Sequence, residues 1–105
     1  MSIETRDERF EQIVDSDSPL EQVATGFIFT EGAMWNGKTR ELIFSDIPGD
    51  LMRTWSAADG IKVFRQPSSK ANGHYFDLEG RLVSCEHVTS RVTCQEPDGS
   101  TTVLA

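Results

Sequence analysis

The sequence predicts an all-β fold of the β-propeller class. From residue 20 onward, short β-type runs of three to eight residues follow one another, each bounded by Gly, Pro, Asn or Asp. No helical pattern interrupts these runs, and the second half of the chain repeats the first with a period near 40 residues. An all-β repeat of about 40 residues with four strands is typical of one propeller blade, because a lone four-stranded sheet must stack on neighbours to bury its faces.

Residues 1–19 are predicted to form a leader that contains a short helix. Phe10, Ile13 and Val14 stand at positions i, i+3 and i+4 among acidic residues, which is the pattern of a short amphipathic helix. A cluster of turn-forming residues closing at Pro19 predicts where the helix has ended.

Residues 20–105 are predicted to form a partial β-propeller. Blade one covers about residues 31–66 and blade two about residues 72–105. The predicted strands, in order, are residues 22–29, 33–35, 41–45, 51–55, 61–64, 74–76, 81–85, 91–94 and 101–104.

The repeat is visible when the two halves are aligned. The matching residues are Glu31-Gly32 with Asn72-Gly73 and Trp35 with Phe76 at a separation of 41, Leu42-Ile43 with Leu82-Val83 and Asp46 with Glu86 at 40, and Asp59-Gly60 with Asp98-Gly99 at 39. Propellers have about four to eight blades, so the sequence predicts about two blades of a larger ring. A free-standing eight-stranded sandwich or barrel with an accidental repeat is the alternative at this stage.

The acidic balance of the chain disfavours some partners. Ten Lys and Arg stand against seventeen Asp and Glu, for a formal net charge of −7, and this charge repels phosphate backbones and anionic membrane surfaces. The apolar runs are far shorter than the roughly 20 residues that span a bilayer. We therefore expect no nucleic acid and no membrane as partners, and an N-terminus without a secretory pattern predicts a cytoplasmic location.

Side chains suited to chemistry collect at one predicted rim. In a blade, the innermost strand leaves one face of the disc and the second strand returns to it, so the start of one and the end of the other share a rim. Glu31 and Asn72 begin inner strands, whereas Asp46, Glu86 and His87 end second strands. Carboxylate and amide oxygens converging near an axis suit Ca²⁺, Mg²⁺ or Mn²⁺.

Plainer roles for the same residues stay open. The Glu-Gly and Asn-Gly pairs at residues 31–32 and 72–73 also fit simple turns. Asp46 has an alternative role as an acceptor for backbone N–H groups in the turn before the third strand. Histidine is the side chain that most often changes charge near neutral pH, so His87 suits a proton shuttle or a ligand, but a hydrogen-bonded neighbour of Glu86 is the simpler interpretation.

Four motifs then follow one another at a distinctive spacing. They are ATGFIFTEGAMW, LIFSDIPGDLMRTW, KANGHYFDLEGRLVSCEH and RVTCQEPDGSTTVLA, within residues 20–105. Together they resemble the gluconolactonase, senescence-marker and luciferin-regenerating enzyme family. Any one of these motifs is weak evidence for the family, but four of them in the same order are specific evidence.

The resemblance implies a six-bladed propeller that hydrolyses sugar lactones with a divalent metal on its axis. Ca²⁺ is the expected metal, with Zn²⁺, Mg²⁺ and Mn²⁺ as alternatives. Glu31 of the FTEG motif is implied as a metal ligand, and Asn72 of the ANGH motif as a residue of the substrate pocket. Asp46, Glu86 and His87 are weaker candidates for substrate binding on the same rim.

Two hypotheses of different classes follow. In the first, the chain is the N-terminal part of a metal-dependent lactonase, in which the metal polarises the lactone carbonyl for attack by water, and further ligands lie in blades beyond Ala105. In the second, it is a truncated, non-catalytic propeller module that acts in binding or in self-association through its open blade faces. Three copies of such a module would supply six blades.

Overall fold

The computed structural model describes residues 2–105 and contains two antiparallel four-stranded sheets. The first sheet, blade 1, is formed by β1 (Thr30–Asn36), β2 (Glu41–Asp46), β3 (Leu51–Ser56) and β4 (Gly60–Arg65). The second sheet, blade 2, is formed by β5 (Ala71–Phe76), β6 (Leu82–Glu86), β7 (Arg91–Gln95) and β8 (Thr101–Val103). In both sheets each strand pairs with the next one along the chain. The all-β prediction is confirmed.

The structure reproduces the sequence repeat in its strand register and in its turns. Asp46 pairs with Thr30, and Glu86 pairs with Ala71, so the two acids occupy the same rung of their blades. In both blades the register of the first strand pair shifts just beyond that rung, as at a β-bulge. Positive φ values also recur about 40 residues apart, at Arg40 and Gly80, Asp50 and Ser90, and Gly60 and Gly99.

The apolar core lies between the two blades. Ile43 and Met52 of blade 1 pack with Ala71 and Leu82 of blade 2, and the partly buried Phe76 completes the cluster. Met52 and Ala71 are fully buried. β1 and β5 also lie side by side, as neighbouring innermost strands do around a propeller axis.

The leader helix is shorter and tighter than the sequence pattern suggested. It is a five-residue 3₁₀ helix, Glu8–Gln12, in which no residue is buried. The Asp7 carboxylate caps its start by accepting the Arg9 backbone N–H at 2.9 Å. Phe10 and Val14 are half-buried but Ile13 is 80% exposed, so the predicted apolar face packs only in part, which is little support for a longer α-helix. None of the helices formed by residues 2–105 is long and apolar enough to cross a membrane.

The strand predicted at residues 22–29 is wrong, because this segment is irregular. Gly26 has a φ of 95°, which interrupts an extended strand. The Phe29 carbonyl accepts the Ile47 N–H at 3.1 Å, and side chains make the other contacts of the segment described here. Phe27 packs edge-on against Phe44 with ring centroids 5.1 Å apart, and the Arg53 guanidinium lies 5.4 Å from the Phe27 ring centroid. The segment therefore covers part of the outer face of blade 1.

Candidate functional site

The upper rim of the molecule, where β1 and β5 begin and β2 and β6 end, brings Glu31 and Asn72 onto neighbouring strands. Gly32 makes this possible. A Cβ at Gly32 would lie 2.5 Å from the Asn72 carbonyl oxygen and 2.9 Å from His74 Cδ2, and the residue has a φ of 64°. A side chain at this position would separate the two strands.

The Glu31 carboxylate is available for a ligand. Glu31 is exposed, and within residues 2–105 its carboxylate takes part in no hydrogen bond or ion pair. Asn72 is half-buried beside it, and a cleft of about 260 Å³ bounded by Phe27, Glu31 and Phe44 opens next to the rim. The two predicted site residues thus lie on neighbouring strands at the rim, and Glu31 also lines this cleft.

Asp46, by contrast, is engaged by the protein. It is buried, and its carboxylate accepts the backbone N–H groups of Ile28 at 3.2 Å and Phe29 at 3.1 Å. The alternative prediction for Asp46 was that it accepts backbone N–H groups in the turn before the third strand. It does accept backbone N–H groups, but they lie before β1 and not in the turn before β3. Asp46 holds the segment at residues 22–29 on the rim, and its predicted contact with substrate stays a prediction.

Glu86 occupies the equivalent place in blade 2 and is held by its own blade. Its carboxylate accepts hydrogen bonds from Thr89 at 2.7 Å, Arg91 at 2.8 Å and Thr93 at 3.0 Å. Burial raises the pKa of this carboxyl, but the bonds from Arg91, Thr89 and Thr93 outweigh burial and leave the pKa below its ordinary value. The carboxylate stays ionised and organises the end of β6, and its role towards a substrate stays a prediction.

His87 follows Glu86 on the rim and is exposed. Its carbonyl accepts the Ser90 N–H at 3.3 Å in the β6–β7 turn. Its imidazole makes no hydrogen bond within residues 2–105. The proton-shuttle and ligand roles of His87 stay predictions.

The structure reveals one central residue that the sequence did not indicate. His74 of β5 bridges the blades, with Nε2 2.7 Å from Ser45 Oγ of blade 1 and Nδ1 2.9 Å from Ser84 Oγ of its own blade. Burial, with a smaller contribution from the charge of Arg65, lowers the pKa of His74 to about 4. The imidazole is therefore neutral near pH 7, one ring nitrogen donating and the other accepting.

The Ser45–His74–Ser84 arrangement has the spacing of a nucleophile, a base and an orienting group. Ser45 is fully buried and Ser84 is 1% exposed. Because a nucleophile must reach its substrate, we assign this cluster to blade packing. The ANGH motif contains His74, but the sequence carries no signal for a partner 29 residues away on another blade.

A second unpredicted contact fixes the linker between the blades, just before Asn72. The Asp50 carboxylate accepts the Lys70 N–H at 2.8 Å, and the Ser68 N–H and hydroxyl at 3.2 and 3.1 Å. Lys70 Nζ donates to the carbonyl oxygens of Ile47 and Pro48, each at 3.1 Å. We call these contacts of Asp50 with Ser68 and Lys70 the clasp. The hydrogen bond from the Lys70 N–H is the largest cause of a lowered Asp50 pKa, so the Asp50 carboxylate is charged at neutral pH.

The donor chemistry of the upper rim fits a hard divalent cation in part. A carboxylate and an amide oxygen are suitable ligands, but Ca²⁺ takes about six to eight oxygens. In the part of the chain that the structure describes, no three His, Cys, Asp or Glu side chains are grouped to hold a metal ion. Glu31 and Asn72 therefore suit a portion of a metal site.

Residues 29–105 match the model of the SMP-30/Gluconolactonase/LRE-like region. The chain belongs to this family. A gluconolactonase from Zymomonas mobilis subsp. mobilis is 35% identical to it over 63 residues, which cover 60% of this chain and 18% of the relative.

Two solved structures from the same family have the fold described above. An X-ray structure of a candidate gluconolactonase superposes with a TM-score of 0.80 at 28% identity, over 95% of this chain and 35% of that chain. A gluconolactonase from Xanthomonas campestris gives a TM-score of 0.69 at 29% identity, over 75% and 27%. The chain spans well under half the length of each relative. These similarities confirm the propeller and family predictions.

Proposed function

We propose that this chain provides part of a metal-dependent lactonase that hydrolyses sugar lactones at the upper rim. The observation that carries the proposal is the approach of β1 to β5 at Gly32, the residue after the exposed Glu31, where the backbone comes close to the Asn72 carbonyl oxygen. The family and the gluconolactonase names of the relatives support the same class of reaction.

In this proposal the two residues have different tasks. Glu31 holds a divalent cation, Ca²⁺ first, through its negative charge. The Asn72 amide can both donate and accept hydrogen bonds, so it suits the hydroxyl groups of a sugar lactone. The cation, when bound, supplies a Lewis acid that polarises the lactone carbonyl. The remaining oxygen ligands come from water or from further blades of the ring.

Hydrolysis of δ-gluconolactone by the purified chain, followed by acid release in a weakly buffered indicator solution, tests the proposal. We expect a rate above spontaneous hydrolysis that requires Ca²⁺ and disappears with a chelator. Glu31→Gln keeps the size of the side chain but removes its charge, and we expect it to lower kcat/KM by about a hundredfold or more, as loss of groups around a metal does.

Glu21→Gln is the matched control, because Glu21 is an exposed carboxylate in the irregular stretch before β1. We expect it to hydrolyse the lactone like the parent chain. Hydrolysis that is unaffected by chelator, or a Glu31→Gln variant as active as Glu21→Gln, would show that the upper rim is not a metal-dependent lactonase site.

A further inference from the structure

A second cleft, of about 530 Å³, lies between the two blades at the end opposite the upper rim, where β2 and β6 begin. We call it the lower cleft. One wall comes from β2, β3 and β4, and the other from the β5–β6 turn and the end of β7. Both walls belong to the faces that blade 1 and blade 2 turn towards each other. A cleft of this volume suits a small organic molecule.

The lower cleft has an apolar lining that continues the core between the blades. Ile43 and Leu82 belong to that core and also line the cleft. Phe64 of β4 and Phe76 of β5 line it too. Phe64 is 37% exposed and Phe76 is half-buried. A ligand with an apolar body would remove part of this surface from water, which favours binding.

Hydrogen bonds fix the outer strands that form the two walls. The Arg65 guanidinium of β4 donates to the Gln95 side-chain oxygen of β7 at 2.7 Å, and Gln95 lines the cleft. On the blade 2 wall, Arg81 donates to Asp77 at 2.8 Å and to Glu96 at 3.2 Å, which joins the β5–β6 turn to the end of β7. The lower cleft is therefore largely formed before any ligand binds.

The charges that line the lower cleft are paired, with one exception. Lys62 Nζ donates to Asp59 at 3.0 Å. Arg81 forms ion pairs with Asp77 and with the two glutamates on its own wall. Glu41 is half-buried, and within residues 2–105 it is the one charged residue of the lining that takes part in no hydrogen bond or ion pair. The charged lining residues are Glu41, Lys62, Glu79, Arg81 and Glu96.

A half-buried carboxylate without a partner, next to apolar surface, favours a cationic ligand. A divalent metal ion fits poorly, because it takes several oxygen ligands and no three His, Cys, Asp or Glu side chains of residues 2–105 are grouped to hold one. An organic ammonium group needs only one carboxylate and can keep its other N–H groups in water. Its apolar body can lie on the surface around Phe64.

We propose that the lower cleft binds a small primary amine with an apolar body. The ammonium group donates to the Glu41 carboxylate, and the body packs against the lining formed by Ile43 and Phe64. Glu41 begins β2, at the end of the molecule opposite Glu31. The proposal is therefore independent of the proposed lactonase activity at the upper rim.

Two-dimensional NMR of the ¹⁵N-labelled full chain, titrated with phenethylamine, tests the proposal. Salt at about 0.15 M screens the general attraction of a cation to an acidic chain. We expect saturable shift changes at the backbone N–H groups of Glu41, Ile43 and Leu82. Phenethyl alcohol has the same body without the charge, and hydrocinnamate has the opposite charge. We expect both to bind about tenfold or more weakly, because neither can form the charged hydrogen bond to Glu41.

Glu41→Gln keeps the size of the side chain and removes its charge. We expect it to weaken phenethylamine binding by about tenfold or more and to leave phenethyl alcohol binding unchanged. If the NMR spectrum shows that this variant is unfolded, the shift changes of the parent chain and the ranking of the three compounds decide the question.

Glu31→Gln is the matched control, because it removes the unpaired carboxylate of the upper rim and not that of the lower cleft. We expect it to bind phenethylamine like the parent chain. The proposal would be overturned by shift changes that do not saturate or that lie only at the upper rim. A folded Glu41→Gln variant with the affinity of the parent, a loss of binding in Glu31→Gln, or equal binding of the three compounds would also overturn it.

Discussion

His74 joins the two blades through both nitrogens of its ring. Its bonds to Ser45 and Ser84 use one donor and one acceptor of the neutral imidazole. A charged imidazole would have two donors and would face the positive charge of Arg65. Because serine hydroxyls can also accept hydrogen bonds from both nitrogens of a charged ring, it is burial and the charge of Arg65 that favour the neutral His74.

The depressed pKa of His74 predicts a loss of stability in mild acid. The pKa is about 4 in the folded chain against an ordinary value of 6.5, so above pH 6.5 the residue is neutral in both states and contributes no pH dependence. Between pH 6.5 and 4 the unfolded chain binds a proton that the folded chain does not, and stability falls. Urea unfolding should show a decrease of at most about 2 kcal/mol across this range, since partial exposure screens the effect.

His74→Gln separates this effect from the titration of carboxylates. Glutamine retains a donor and an acceptor but does not titrate, so the pH dependence between 6.5 and 4 should be weaker in the variant. Equal slopes for the parent chain and His74→Gln in this range would contradict the assignment of a neutral bridging imidazole.

Gly32 is the second residue on which the geometry of the rim depends. Gly32→Ala introduces a Cβ 2.5 Å from the Asn72 carbonyl oxygen at a φ of 64°. Backbone strain and overpacking together should lower the free energy of unfolding by about 2–4 kcal/mol. Gly37→Ala, where a Cβ has no atom within 4 Å, should change it by less than about 0.5 kcal/mol. Urea titrations that give the same change for both would contradict the close approach of β1 to β5.

At the scale of the elements, the clasp around Asp50 holds the linker that leads into β5. The Ser68 N–H keeps the Asp50 carbonyl oxygen at 3.0 Å in Asp50→Ala. The variant removes the acceptor for the Lys70 N–H and for the hydroxyl of Ser68, which is 2% exposed. Burying these donors without a partner should cost about 2–3 kcal/mol in thermal or urea unfolding. Amide exchange at Lys70 should also become faster, and this local readout distinguishes loss of the clasp from a general destabilisation.

Asp59→Ala is the control for the clasp. Asp59 is also an acidic turn residue, but its carboxylate makes only an exposed ion pair with Lys62, which is worth little. A loss of stability in Asp59→Ala equal to that in Asp50→Ala would show that the linker is not fixed by Asp50.

The strands of the two blades could be predicted because local signals and tertiary packing agree. β2, predicted at residues 41–45, is found at Glu41–Asp46, because its β-type residues pair with a neighbouring strand on each side, β1 and β3. The segment at residues 22–29 has a similar composition but no strand beside it to pair with. The Asp46 carboxylate accepts the N–H groups of Ile28 and Phe29 instead, and this contact cannot be predicted from the local sequence.

At the scale of the molecule, the repeat predicted the fold, because a period near 40 residues fixes both the strand number and the stacking. It also predicted which strand ends share a rim. The contacts that fix the spacing between the blades, through His74 and Asp50, depend on the register between distant strands. A single sequence does not contain that register.

The central claim is that Glu31 holds a divalent cation at the upper rim, next to Asn72, whose amide binds the sugar lactone. X-ray diffraction from crystals of the chain grown with Mn²⁺, recorded to give the anomalous signal of the metal, tests it most directly. The account predicts an anomalous peak about 2.0–2.6 Å from a Glu31 carboxylate oxygen, beside the Asn72 amide. Peaks only at other places, or none at saturating Mn²⁺, would contradict it.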